Sequence, residues 1–311
     1  MTFQPNRRDF LRTTAAAGAS LALTKGLLAA PSQKSVLVFT KSSGWEHDVV
    51  KRIDGKPSIM DNAITEMGKK HNFEAVCSKD GRIFDSAEFA KFGVAIFFTT
   101  GDLLEEGTDK QPPMTAAGKQ KLLDAIHGGK GFVGVHAASD TFHNKPDSPE
   151  KGTRYVAYGE KSDPYLRMLG AEFITHGSTP RLQSCKVTIN DPNFPGLEGV
   201  SSPLEFTEEW YSLKDFMTDI HVIGTLDTAG MKGNCYQRKP YPVIWSRMHG
   251  KGRVFYTAMG DRPENWQIPF FLNLLTGGIL FSLGEAKGSV ESNLIVAAPG
   301  YAEIPPREPA K

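Results

Sequence analysis

The stretch G-F-V-G-V-H-A-A-S-D, Gly131 to Asp140, decides how this chain reads. A short apolar run flanked by glycines is the pattern of a buried strand. It stops at a histidine, two alanines and a Ser-Asp pair, small residues that let the backbone turn sharply. Such a turn presents His136 and Asp140 at the carboxyl end of the strand. In open α/β sheets that edge is where ligands bind.

Working outward, the same alternation recurs. Val36 to Thr40 reads as a buried strand, Pro57 to His71 as a helix with Lys69, Lys70 and His71 where cations suit the dipole, and Phe73 to Cys77 as a second strand. Asp85-Ser-Ala-Glu88 has the N-cap and N3 pattern of a short helix. Val94 to Thr99 is a third strand, Thr115 to His127 a helix ended by Gly128-Gly129, and Phe132 to Val135 the fourth strand. Repeated strand-helix units predict a parallel sheet with helices on both faces.

After Asp140 the alternation ends. Thr141 to Asp163 reads as a long polar loop, a length that usually carries function or moves. Lys186–Ile189, Leu204–Tyr211, His221–Leu226, Val243–Arg247 and Arg253–Ala258 then read as strands at hairpin spacing, and Pro269 to Leu283 as a closing helix. The strand ends form a set: K-S-S-G-W-E-H-D (Lys41 to Asp48), T-T-G-D (Thr99 to Asp102), H-A-A-S-D, and A-M-G-D-R (Ala258 to Arg262). If the strands are parallel, these four polar turns share one edge and suggest a pocket.

The chain begins N-R-R-D-F-L-R, Asn6 to Arg12, followed by a run of small apolar residues to Ala30. Paired arginines before a short hydrophobic region read as a twin-arginine export signal over residues 1–30. The run is too short and too interrupted for a lasting membrane span. Export by this route predicts a periplasmic or secreted protein and the twin-arginine machinery as a partner. Without that segment the formal charge falls from +1 to −2, with no basic run. Nucleic-acid binding needs a concentrated positive surface, so it is excluded as a function class. Cys77, Cys185 and Cys235 share no metal-type spacing; one disulfide or buried thiols both fit. Residues 34–284 read as one α/β domain and 285–311 as a Pro-rich tail that wraps the surface or frays.

These pieces together resemble the ThuA-like, or trehalose-utilisation, family. The matching stretches are V-L-V-F-T-K-S-S-G-W-E-H-D, G-F-V-G-V-H-A-A-S-D-T, E-E-W-Y (Glu208 to Tyr211), T-L-D (Thr225 to Asp227), P-V-I-W (Pro242 to Trp245) and G-R-V-F-Y-T-A-M-G (Gly252 to Gly260). They run in the family's order from about Val36 to Leu283. The resemblance implies a class I glutamine amidotransferase-like fold: a three-layer α/β/α sandwich, mostly parallel, with a β-rich second half. Amidotransferases carry a nucleophilic cysteine in G-x-C-x-G at the turn after the corresponding strand. Here that turn is Gly134-Val135-His136-Ala137-Ala138, with no thiol, which argues against glutaminase chemistry. The chain departs from the family at Val49, where serine is common, and at Asp261, where a histidine is frequent.

The candidate catalytic residues are His136, His47, Asp48, Glu209 and His176. Imidazoles move protons near neutral pH. Side chains alternate along a strand, so one of Glu208 and Glu209 faces the pocket, and the E-W-Y match favours Glu209. Trp45, Asp140, Trp210, Tyr211 and Asp261 are candidate substrate contacts, the flat aromatics suiting sugar faces. Cofactors are not fixed by the sequence. A divalent metal on His47, His136, His176 and one carboxylate is one option by ligand type, although no H-x-x-x-H spacing supports it. His143 and His249 are the less convincing histidines.

The family's link to sugar utilisation implies a carbohydrate or keto-sugar partner, such as a 3-keto glycoside. Its ketone acidifies the C2 hydrogen, so a base, His136 or His47, starts an elimination or isomerisation, with Glu209 as acid and Asp48 or Asp140 orienting. Two rivals stand beside this: a carboxylate-based glycoside hydrolase, and a non-catalytic periplasmic sugar-binding or accessory protein. Several histidines at strand ends lean toward an enzyme.

Overall fold

A computed structural model describes residues 34–144 and 153–307. The export-signal segment lies outside the described residues. In chain order the main elements are β1 (Lys34–Phe39), α1 (Ile59–His71), β2 (Phe73–Ser78), β3 (Phe92–Phe97), α2 (Ala116–Gly128), β4 (Gly131–Val135), α3 (Pro164–Leu169), β5 (Glu172–His176), β6 (Gln183–Ile189), β7 (Leu204–Glu208), β8 (Tyr211–Lys214), β9 (His221–Leu226), β10 (Tyr241–His249), β11 (Gly252–Thr257), α4 (Pro269–Leu283) and α5 (Leu294–Ala297).

Nine strands form one sheet in the order β2-β1-β3-β4-β11-β10-β9-β6-β7, and β5 pairs with β8 separately. From β2 to β11 every pairing is parallel; from β11 to β7 every pairing is antiparallel. The change of strand direction matches the change in the sequence from strand-helix alternation to hairpin spacing. β1, β3, β4 and β11 lie side by side and parallel, so their four polar turns share one edge, as the spacing predicts. Short bridges between Ser42 and Thr100 and between Gly101 and Thr141 continue the sheet into those turns.

β4 sits in the middle of the parallel half and all five of its residues are buried. Its glycines show why the sheet is covered on both faces. A Cβ at Gly131 would meet the Ser282 carbonyl oxygen of α4 at 2.3 Å, and one at Gly134 would meet Leu169 of α3 at 2.7 Å. The two positions point to opposite faces. Helices α4 and α3 therefore press on the two sides of the same strand, which gives the three-layer α/β/α arrangement.

Helix α1 starts on a capping box, with Ser58 and Asp61 satisfying each other's backbone N–H, and ends on a left-handed Asn72. Thr115 caps α2 through the Gly118 N–H. The Asp85 pattern gives no helix cap: Asp85 closes a short 3-10 turn, accepts the Thr115 hydroxyl, and Glu88–Lys91 is a single 3-10 turn. The predicted strand Leu204–Tyr211 is two strands, with Glu209-Trp210 at the break. α3 and β5 went unread because each is only five or six residues long and lies beside a polar loop.

The tail is pinned as far as residue 307. Asn293 bonds both backbone groups of Val222, the Glu291 carbonyl meets His221, and Arg238 donates to the Tyr301 carbonyl. Cys185 and Cys235 are buried and Cys77 half-buried, and no disulfide links Cys77 to Cys185. Burial pushes the Cys77 thiol up to about 12 and the Cys185 thiol to about 11, outside the reactive range. No helix among the described residues is long and apolar enough to cross a membrane.

The two-sided pressure on β4 makes a testable contrast. Gly131→Ala should cost about 1–3 kcal/mol, because backbone rather than a flexible side chain blocks the new methyl. Gly128→Ala, at the open last residue of α2, should be neutral or stabilise by about 0.4–1 kcal/mol. Urea unfolding followed by circular dichroism reads both; an unchanged midpoint for Gly131→Ala would contradict the close approach of α4.

Candidate active site

The turn after β4 begins with His136 in a left-handed conformation, φ 43°. A non-glycine residue holds that conformation only where surrounding contacts fix it. Here the imidazole Nδ1 donates to the Ala258 carbonyl oxygen at the end of β11, 2.8 Å away. This fixes the tautomer and leaves Nε2 facing Glu209 Oε2 at 3.4 Å. The ring is fully buried.

His47, from the turn after β1, packs edge-on to His136 with ring centroids 5.3 Å apart. It occupies a helix N-cap position but makes no capping bond, so capping does not account for it. Its Nε2 lies 3.3 Å from the Tyr211 hydroxyl and 3.9 Å from Asp261 Oδ1, while its buried Nδ1 has no hydrogen-bond partner. Glu209, at the break between β7 and β8, reaches in from the antiparallel half. Asp261 arrives from the turn after β11. Arg181 bridges the two carboxylates, 2.9 Å from Glu209 Oε1 and 2.8 Å from Asp261 Oδ2.

His47, Glu209, Asp261 and Arg181 line a cavity of about 640 Å³ whose wall also includes Trp45, Asp140, His176 and Tyr211, and His136 is buried behind them. His47, His136, Glu209 and Asp261 each offer one donor atom, and all four atoms lie within 4.8 Å of one another. Two imidazoles and two carboxylates suit a divalent transition ion. The Ala258 carbonyl on the far nitrogen of His136 is the outer-sphere bond that orients ligating histidines. The four residues thus fit a cation. The donor set differs from the sequence expectation: Asp261 takes the place given to His176.

Opposed environments separate the titrations. Burial and the neighbouring His136 charge push His47 down to about 4. Burial also works against the His136 cation, but the Glu209 bond and the charges of Glu208, Asp261 and Glu209 outweigh it and raise His136 to about 9. Burial pulls Glu209 upward, yet His136, His176 and Arg181 hold it at about 2. These neighbours favour the carboxylate form of Glu209 over the acid form that the sequence reading gave it. Glu208 points away from the cavity, accepting the Gly260 N–H at 2.7 Å and the Asn265 amide at 2.8 Å; burial raises it to about 7.

The remaining candidates divide. His176 lines the cavity about one-third exposed, its Nδ1 donating to the Gly177 carbonyl at 2.9 Å. Asp48 stands on the rim, 75% exposed and paired to Lys51 at 2.7 Å, too far into solvent to orient a buried histidine. Trp45 is an exposed platform and Tyr211 a buried wall. Trp210 is a correction: it is fully buried, its indole N–H donates to the Gln183 carbonyl, and it does not line this cavity. His136, for all its centrality, is not part of the cavity wall, so it cannot take a proton directly from a ligand. Sequence reasoning missed Arg181, whose two partners lie 28 and 80 residues away. It also discounted His143, which is buried between Asp140 and Glu172.

Comparison with known proteins bears on the family and the fold. Residues 35–282 match the family described as trehalose utilisation, ThuA, and residues 4–24 match the twin-arginine translocation signal. A putative ThuA-like protein from Bacteroides uniformis superposes with a TM-score of 0.57 at 17% identity, over 83% of this chain and 95% of that one. One from Parabacteroides merdae gives 0.51 at 16% identity, over 86% and 97%. At those identities the likeness speaks for the fold. No curated protein matches the chain.

The pKa pattern fixes a stability profile for metal-free protein. His136 and His143 are both raised to about 9, so the stability they confer is full below about pH 6.5 and is lost as pH rises toward 9. His47 and His249 are lowered to about 4, so theirs is lost as pH falls from 6.5 toward 4. Stability should peak near pH 6.5 in urea unfolding with chelator present. Glu209→Gln should flatten the alkaline arm, leaving the His143 contribution; an unchanged arm would show that Glu209 does not hold the His136 proton.

Proposed function

The chain belongs to the trehalose-utilisation (ThuA) family and carries a twin-arginine export signal, and from these and the site geometry we propose that it is an enzyme acting, in the periplasm or outside the cell, on a 3-keto glycoside or disaccharide. The observation that carries this reading is the convergence of His47, His136, Glu209 and Asp261 within 4.8 Å of one another, three of them lining one cavity and His136 buried behind it.

The reaction is an elimination. A base removes the C2 proton beside the C3 ketone, and the C–H electron pair forms an enolate. The C3 carbonyl then re-forms, that pair becomes a C1–C2 double bond as the C1–O bond breaks, and the leaving oxygen takes the proton back from the protonated base. Two residues on the wall suit the first step. His176 has its Nδ1–H committed to the Gly177 carbonyl, so its Nε2 keeps a lone pair for the C2 proton. Arg181 carries a fixed positive charge to the floor and stabilises the developing oxyanion. His47, His136, Glu209 and Asp261 would hold a divalent cation, which when bound polarises a carbonyl. Asp140 and Tyr211 line the same cavity and supply hydrogen-bonding groups for sugar hydroxyls in this reading. Hydrolysis by paired carboxylates requires one of them to be protonated near neutrality. Glu209, held at about 2, is the wrong group for that, and Glu208 is sealed from the cavity.

Purified protein incubated with 3-ketotrehalose or a 3-ketoglucoside should release the leaving group, and unoxidised aryl glucosides should stay intact. His176→Ala and Arg181→Ala should each lower kcat by about 10²–10⁴-fold, and chelator should abolish turnover until a divalent ion is restored. Absence of turnover with every divalent metal supplied would overturn the proposal.

A further inference from the structure

Beside the cavity just described lies a second one of about 750 Å³, walled by the turn after β3 and by the segment leading into α3. Both volumes fall in the range of about 300–1,000 Å³ usual for small-molecule sites. Among the described residues, the two cavities share only Trp45 and Asp140. A ligand occupying both would lie against these two side chains.

The shared pair is built for a bound ring rather than for packing. Trp45 is 73% exposed, the most exposed aromatic among the large apolar side chains on the surface. Its carbonyl is nevertheless fixed by the Thr100 hydroxyl at 2.8 Å, so a solvent-facing indole sits on an anchored backbone. Such a surface suits the apolar face of a sugar. Opposite it, Asp140 is held by His143 and by Arg154, at 3.3 Å from the latter. His143 is held in turn by Glu172 at 3.0 Å, and Glu172 is neutralised by Lys214 at 3.2 Å. This buried chain of charges ties β5 to β8, where Glu172 and Lys214 pair directly. Its other end holds one carboxylate at the junction.

We propose that the second cavity is the subsite for the unreacted half of a two-ring glycoside, with the glycosidic linkage crossing between Trp45 and Asp140. The proposal rests on the first cavity being the seat of the reacting ring. Leu104 lines the second cavity only, half-buried on its wall, and a larger side chain there would fill it.

Binding of unoxidised sugars tests the subsite without chemistry. In titration calorimetry the wild-type protein should bind trehalose at least about tenfold more tightly than methyl α-glucoside, about 1.4 kcal/mol. Leu104→Trp should bring that ratio to about 1. Equal affinities in the wild type, no binding of either sugar, or an undiminished ratio in a folded Leu104→Trp protein would each overturn the proposal. Should that variant not fold, the wild-type ratio decides alone. If the two-ring preference holds while 3-ketotrehalose is not turned over, the reaction proposed above fails and the subsite stands.

Discussion

The hydrogen bond from His136 to the Ala258 carbonyl is the constraint on which the site depends. It joins the first residue beyond β4 to the first residue beyond β11, two strands that are already parallel neighbours. It also gives the strained His136 backbone a reason to persist. With that nitrogen committed, the other has one direction open, toward Glu209. His47 and Tyr211 then pack on the two sides of a ring that cannot turn. A loop histidine in solvent would sample many orientations; this one is delivered in a single pose.

The second constraint is electrostatic. Glu209 and Asp261 are nearly buried and close together, an arrangement that like charges tolerate only with compensation. The compensation comes from two separate segments: the His136 proton and Arg181. The parallel half of the sheet supplies His47, His136 and Asp261, while the later segments supply Glu209, His176 and Arg181. The β-rich second half therefore contributes half of the chemistry as well as a wall.

The parallel core was legible because its signals are local. Apolar runs such as Val94 to Thr99 and glycine-marked turns such as Gly131 to Asp140 declare themselves within ten residues. The shared edge of four turns followed from parallel pairing alone, and it placed His47, His136, Asp140 and Asp261 together. What failed to read was whatever depends on distant partners. Arg181 follows an unremarkable Thr-Pro and gains meaning only from carboxylates on other strands. Trp210 sits in the same short motif as Glu209 and Tyr211, yet the strand break turns its ring into the core. His143 looked like one more loop histidine because Glu172, its anchor, lies on a five-residue strand too short to leave a periodic trace. The acid role of Glu209 was lost to its charged neighbours, which a linear reading does not place.

Arg181 has a consequence for the life of the molecule before it meets a ligand. Twin-arginine translocation moves proteins already folded, so the pocket is assembled in one compartment and used in another. A guanidinium laid across Glu209 and Asp261 is a built-in placeholder: the acidic floor is neutralised without borrowing an ion from the cytoplasm. A guest therefore meets a floor whose negative charge is already balanced.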